Sequence, residues 1–259
     1  FLLFILLSII SCSKDENQIS QPVVNNIYFP SIDSDQWETI SPDELNWDSV
    51  EIENLYEFLE LNNTRAFVVL KDGKIVIENY WGNNILNTAP FDRNSNWYWA
   101  SAGKTLTALM VGIAQEDGLL SIENSSTIYL GNGWTSLTAE QEGLIKIKHQ
   151  LTMTTGLDYQ VVNLNCTDPD CLSYKNTPGT NWFYHNATYS LLKDVIENAT
   201  ETSYNEFTNQ KVKIKIGMGG SWIQLNNSDT YFSTARDMAR FGLLILNEGV
   251  WDEDVILND

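Results

Sequence analysis

The chain has 259 residues, with 34 acidic against 15 basic side chains and a formal charge of −19. So acidic a surface excludes nucleic acid as a partner, because phosphate binding needs a basic face. It favours solubility and leaves the fold open.

Phe1 to Ile10 is almost wholly apolar. Ten residues span about 15 Å as a helix, against a bilayer core of roughly 30 Å. The length suits the apolar region of a secretory signal, so the sequence is expected to start inside one. A clipped transmembrane anchor is the alternative. Ile9-Ile10-Ser11-Cys12 resembles a bacterial lipobox, which implies an acylated Cys12 as mature N-terminus, and Ser13-Lys14-Asp15-Glu16 resembles a surface-export tag of lipoproteins. The expectation is a signal over 1–12, a polar tether over 13–40 and a domain over 41–259. The protein would then be exported and lipid-anchored to a membrane, periplasmic or on the cell surface.

Asp43 to Asn62 has the pattern of an amphipathic helix. Two β-branched runs, Ala66–Leu70 and Lys74–Glu78, flank Lys71-Asp72-Gly73 and predict a hairpin. Trp81 to Ser95 has loop composition. Thr105 to Gln115 predicts a helix ended by Gly118, and Ser121 to Trp134 reads as irregular. A short helix is expected over Ile145–Thr155, closed by Gly156, and a polar loop over Cys166–Thr180. Further helices are expected over Ala187–Asn198 and over Thr234–Asn247. The last opens with a Thr234-x-x-Asp237 capping box and is ended by Gly249. Gln210–Ile216 and Ser221–Leu225 are the candidate late strands.

Cys166 and Cys171 flank Thr167-Asp168-Pro169-Asp170. In an exported chain a local disulfide is expected. The rival is a zinc site recruiting His149 or His185, the two histidines of the chain, although their spacing fits no standard finger. No metal and no cofactor is expected.

Ser-x-x-Lys occurs at Ser11/Lys14, Ser101/Lys104 and Ser190/Lys193. The first straddles the processing site. The third lies mid-helix and reads as a solvated face. Ser101 follows an aromatic entry, Trp97-Tyr98-Trp99, and stands where a helix begins. Residues three apart share a helix face, so hydroxyl and amine lie side by side. A lysine of lowered pKa can then take the serine proton. The helix dipole and the three aromatic residues would both lower it. The first-turn amide of Ser101 can face an oxyanion. Tyr184 and Asn186, two apart in an extended segment before a helix, point to one side. His185 between them should point away, and His149 reads as a packing and capping residue. A second Tyr-x-Asn, Tyr174/Asn176, lacks that context.

Three blocks then occur in an order that resembles the serine β-lactamase and penicillin-binding-protein superfamily, in its class C β-lactamase, D-alanyl-D-alanine carboxypeptidase and esterase branch. They are Ala100-Ser101-Ala102-Gly103-Lys104, Ile145 to Leu157, and Pro178-Gly179 through Tyr184-x-Asn186 to Leu192. Ser233 to Gly242 is similar to the family's late helix. The resemblance implies a mixed α/β (α+β) fold: an antiparallel sheet flanked by helices, plus a mainly helical region, with the site in the cleft between. It implies Ser101 as acylated nucleophile and Lys104 as proton acceptor. Tyr184 would relay a proton to the leaving group and activate water, with the base role shared between Lys104 and Tyr184 left open. Asn186 would hold Lys104 and the substrate amide. The substrate would be a small molecule, peptide or ester, hydrolysed through an acyl-enzyme. A non-catalytic penicillin-binding-type sensor on the same fold is the alternative.

Two departures accompany the resemblance. The third family motif, a Lys or His, a small residue and Gly on a strand, is not found. The chain is therefore expected to continue past Asp259, and as written to lack half an oxyanion hole and activity. Asn181-Trp182-Phe183 is bulky beside the expected pocket, which implies an unusual acyl group.

Overall fold

The computed structural model describes residues 27–225 and 228–258. Cys12, the Ser11/Lys14 pair and the expected signal lie outside the described residues. Among the described residues no helix is long and apolar enough to cross a membrane.

The first helix, α1 (Ser49–Leu61), is capped by Asp48 and preceded by a separate 3-10 turn at Pro42–Leu45. Strands β1 (Ala66–Lys71) and β2 (Lys74–Tyr80) form the expected antiparallel hairpin. Asp72 and Gly73 have φ of 50° and 82° at its tip. A positive φ at both positions is what a tight type I′ turn demands. A Cβ on Gly73 would come within 1.8 Å of the Tyr28 carbonyl oxygen, so the N-terminal segment passes directly over this turn.

That passage moves the expected domain boundary at 40/41. Trp37 is buried and its Nε1 donates to the Gly73 carbonyl at 2.7 Å. Glu38 and Ile40 exchange backbone hydrogen bonds with Ile75 at 3.0 and 2.9 Å. Residues 27–40, taken as tether from their polar composition, are therefore part of the domain, held by a few apolar anchors among many polar residues.

Strand β3 (Trp97–Tyr98) leads through a 3-10 turn at Ala100–Ala102 into α2 (Gly103–Glu116). Helix α2 buries Leu106, Leu109, Met110, Val111 and Ile113, a face wide enough to make it the axis of the main core. The region read as irregular contains α3 (Thr127–Leu130), and α4 (Ala139–Gly143) follows. The predicted Ile145–Thr155 helix shortens to α5 (Ile147–Leu151). Cys166 and Cys171 form a disulfide with Cα atoms 5.9 Å apart, so neither thiolate is free for a metal.

The predicted Ala187–Asn198 helix is two pieces, α6 (Asn186–Ser190) and α7 (Leu192–Thr200). Helix α8 (Tyr204–Thr208) runs through a π-helical turn into α9 (Ile214–Ile216). This corrects the expected strand at Gln210–Ile216. Val212 and Ile216 are fully buried while Ile214 is 58% exposed. Burial thus follows the i, i+4 spacing of a helix face, whereas strand alternation would bury Ile214 together with Val212 and Ile216.

Strands β4 (Ser221–Leu225) and β5 (Ser228–Ser233) pair antiparallel, and β3 joins β5 to give the order β3-β5-β4. Helix α10 (Ala235–Leu246) opens with the expected Thr234/Asp237 capping box. Its Arg236 clasps Glu78 of β2 through Nε and Nη2 at 2.6 and 2.7 Å. A last small hairpin, β6 (Val250–Trp251) and β7 (Asp254–Val255), packs Trp251 on the main core. The result is the expected mixed α/β architecture of antiparallel sheets and flanking helices. A satellite core of Trp134, Ile145, Leu157, Leu172, Ala187 and Leu191 supports the loop region between α3 and α7.

Candidate active site

Ser101 is placed by the end of β3. The Trp99 amide donates to the Tyr231 carbonyl at 2.8 Å, and Trp99 Nε1 donates to Ser233 Oγ at 2.8 Å. Trp99 is thereby locked against β5 with 5% exposure. The next residue, Ala100, has a φ of 46°, in the left-handed region a non-glycine residue rarely enters. That kink turns the chain out of the sheet and leaves Ser101 exposed at the entrance of α2.

One turn on, Lys104 Nζ lies 3.5 Å from Ser101 Oγ. Its ammonium also sits 5.3 Å from the centre of the Tyr184 ring and 5.6 Å from that of Tyr189. The aromatic walls of Lys104 are these two tyrosines. The Trp97-Tyr98-Trp99 entry, expected to desolvate it, does something else: Trp99 faces the core and Trp97 stacks on Tyr98 at 5.3 Å. Tyr189 further ties α6 to α2 by donating its phenol proton to the Lys104 carbonyl at 2.8 Å. Burial pushes the Tyr189 phenol up to about 12, so it remains a donor.

Tyr184 and Asn186 both turn toward this centre. Burial alone would raise the Tyr184 phenol. Hydrogen bonding with Ser101 and the charge of Lys104 outweigh it and hold the phenol below its ordinary value. His185 points the other way, as alternation predicts. It is 3% exposed, with Nε2 3.3 Å from the Asp158 carbonyl oxygen, and burial lowers its pKa. Asn186 opens α6 with its Oδ1 buried and without a hydrogen-bond partner among the described residues. It does not grip Lys104 as the resemblance implied. His149 accepts from the Lys146 amide at 3.1 Å through Nδ1, a local cap.

A cavity of about 170 Å³ opens beside Ser101, with Lys104 and Asn186 in its wall. Among the further residues that line it, and that sequence reasoning did not place there, are Tyr189, Lys193, Tyr204 and Asp229. Lys193 and Ser190 were read as a solvated helix face; both line the cavity instead. The break between α6 and α7 at Leu191 redirects them inward, and the sequence Ser190-Leu191-Leu192-Lys193 carries no Gly or Pro to announce it. Asp229 was missed because β5 was. Asn181, Trp182 and Phe183 do not line the cavity. Phe183 stacks on Tyr159 at 3.9 Å and Trp182 is 68% exposed, which removes their expected effect on the acyl pocket. The Tyr174/Asn176 pair also lies elsewhere, with Tyr174 bridged to Leu157.

A serine and a lysine in the cavity wall, with the depressed Tyr184 phenol beside that lysine, make an arrangement suited to acyl transfer. Comparison with known proteins agrees with the fold. The chain is 30% identical over 146 residues to penicillin-binding protein 4* of Bacillus subtilis (strain 168), covering 50% of this chain and 31% of that protein. It is 24% identical over 170 residues to the ML-236A carboxylate methylbutanoyltransferase of Penicillium citrinum, covering 54% of this chain and 40% of that protein. The chain therefore spans well under half the length of these two relatives. The octameric penicillin-binding protein homologue of Pyrococcus abyssi superposes with a TM-score of 0.64 at 16% identity, over 82% of this chain and 58% of that one, a likeness of fold. Residues 64–256 match the family model described as Beta-lactamase. From Thr64 in front of β1 to Ile256 after β7, the chain belongs to the β-lactamase family, within the serine β-lactamase and penicillin-binding-protein superfamily.

Proposed function

We propose that the protein is a serine hydrolase that cleaves an ester, amide or peptide bond through an acyl-enzyme on Ser101. The reading is carried by one observation: Lys104 Nζ stands 3.5 Å from Ser101 Oγ, in hydrogen-bonding reach of a proton acceptor. Ser101 Oγ attacks the substrate carbonyl carbon and its proton passes to the Lys104–Tyr184 pair. The tetrahedral adduct collapses, the carbon–leaving-group bond breaks, and Tyr184 returns the proton to the departing atom. Water then attacks the acyl-enzyme ester, the same pair takes its proton and returns it to Ser101 Oγ as the carbon–Oγ bond breaks, and the carboxylic acid leaves. Asn186 stands in the cavity wall as a polar contact for the substrate.

Of the two relatives, one is named for binding penicillin and the other for transferring a methylbutanoyl group, so the substrate class proposed for this chain rests on its own site. The lipobox-like Ile9-Ile10-Ser11-Cys12 supports an exported protein with Cys12 as lipid anchor.

The product of the complete gene, expressed without residues 1–12, is treated with a fluorophosphonate or a fluorescent penicillin. Wild type takes the label and Ser101→Ala does not. No label on wild type, or equal label on both, overturns the nucleophile. Acylation of Ser101 by the penicillin and by esters that persists for hours without turnover identifies a sensor rather than a hydrolase.

A further inference from the structure

The cavity beside Ser101 holds an ion pair that the acylation chemistry does not use. Lys193, in the first turn of α7, places Nζ 3.2 Å from Asp229 Oδ2 on β5. Both side chains are mostly buried, 26% and 18% exposed, and what exposure they keep faces the cavity they line. The alternation of β5 puts Asp229 on the same face as Tyr231, which is fully buried against α2. The pair is thus fixed from two sides by core elements.

Each partner has bonding capacity left over. A lysine ammonium has three donors and a carboxylate about four acceptor sites. Among the described residues each has the other as its one charged partner within 4 Å. The polar walls Ser190, Asn165 and Thr230 are neutral, and the one further charged side chain in the wall, among the described residues, is Lys104 beside Ser101. The neutral walls can hydrogen-bond a ligand and cannot balance a charge.

This decides what fits. An alkyl group entering the cavity would strip water from both charges and return nothing. A group with one charge would gain from one partner and be repelled by the other. A group with an ammonium and a carboxylate on one carbon satisfies both, its carboxylate on Lys193 and its ammonium on Asp229. The four charges then alternate in sign around a small square.

We propose that the Lys193–Asp229 pair is a specificity site that reads an amino-acid zwitterion on the substrate of Ser101. As a statement about substrate it rests on the acyl-enzyme reading above; as a statement about binding it does not. The cavity volume of about 170 Å³ suits a group of amino-acid size.

The test uses three probes matched in chain length: norvaline, pentanoate (no amine) and butylamine (no carboxylate). Their affinities for the product of the complete gene are measured at neutral pH by ligand-observed NMR titration. Norvaline is expected to bind about tenfold more tightly than either single-charge probe, the scale of one well-placed charge pair. Lys193→Met and Asp229→Asn should each erase that preference, with folding checked by circular dichroism. Pentanoate or butylamine binding as well as norvaline overturns the proposal, as does no detectable norvaline binding. That comparison is made on the wild type, so a misfolded variant does not blunt it.

Location is read separately, by whether norvaline slows fluorophosphonate labelling of Ser101. Norvaline that binds without slowing the label binds elsewhere, and overturns the site. If wild type takes no label at all, the acyl-enzyme reading falls, while the three affinities and the two variants still decide whether the pair reads a zwitterion.

Discussion

Replacing Asn186 by leucine should leave stability nearly unchanged while removing activity. The Asn186 Oδ1 is buried and has no partner among the described residues. An acceptor stripped of water without a replacement bond costs about 1–3 kcal/mol. Leucine keeps the branched shape of asparagine without a polar atom, so Asn186→Leu removes that cost. Its larger volume takes back about 1–3 kcal/mol by overpacking. The two nearly cancel, so a shift in Tm of no more than about 2–4 °C is expected for a domain of this size. Asn186 also stands in the wall of the cavity beside Ser101, so kcat/KM should fall roughly 100-fold from lost positioning. Urea denaturation gives the first quantity and ester hydrolysis or the Ser101 labelling rate the second. Destabilisation by more than about 2 kcal/mol would refute the reasoning, because it would mean that the carbonyl was satisfied after all.

Glu78→Gln should cost about 3 kcal/mol in urea denaturation at pH 7, since it strands the largely buried Arg236 that joins α10 to β2. Burial would raise the Glu78 carboxyl, but Arg236 and Tyr80 hold it below its usual value. Its stabilisation is therefore complete above about pH 4.3 and is lost as pH falls through the lower folded value, a loss absent from the variant. Tyr184→Phe should lower the rate about 100- to 10,000-fold. It should also abolish a rise of the pH–rate profile centred below the ordinary tyrosine value of about 10; a wild-type rise unchanged in the variant assigns the base elsewhere. Cys166→Ser with Cys171→Ser should cost about 2 kcal/mol by thermal melting, because the loop closed has a separation of only five residues. Ala100→Gly should change stability by less than about 1 kcal/mol, relief of the left-handed alanine being offset by the freer unfolded glycine. The Ser101 labelling rate should nevertheless drop, and an unchanged rate would mean that the kink does not position the serine.

Much of this was legible in the sequence because it is local. The Asp72-Gly73 hairpin, the Thr234/Asp237 cap and the long apolar face of α2 are each written in a few adjacent residues. So is the Ser101/Lys104 pairing, which needs only one helical turn. The illegible parts depend on distant partners. Lys-Val-Lys-Ile-Lys-Ile over 211–216 alternates like a strand, and only the core against which Val212 and Ile216 bury makes it helical. Strand β5 alternates too weakly in hydrophobicity to stand out, since its inward face is Asp229, Tyr231 and Ser233. Two of those three are polar because they serve partners elsewhere in the chain, Lys193 and Trp99. The tether misread has the same cause: Trp37 is one apolar anchor whose donor reaches Gly73, across 36 residues.

Several features that break local rules share the wall of one cavity. Ala100 holds a backbone angle that alanine avoids, Asn186 buries a carbonyl without a partner, and Lys193 and Asp229 keep bonding capacity. Each lowers stability relative to an ordinary alternative. Elsewhere both cases occur: Glu142 accepts from the Gly133 and Thr135 amides, Gln150 bonds to Ser126 and Thr188, and Arg240 donates to the Ile216 carbonyl at 2.8 Å, whereas Arg65 Nε and His185 Nδ1 are buried without a partner among the described residues. What sets the surroundings of Ser101 apart is that a left-handed alanine, an unpartnered carbonyl and an incompletely bonded ion pair occur together. Open valences at a serine beside a lysine are what a substrate would close, and the stability given up there is the part of the fold that binding can restore.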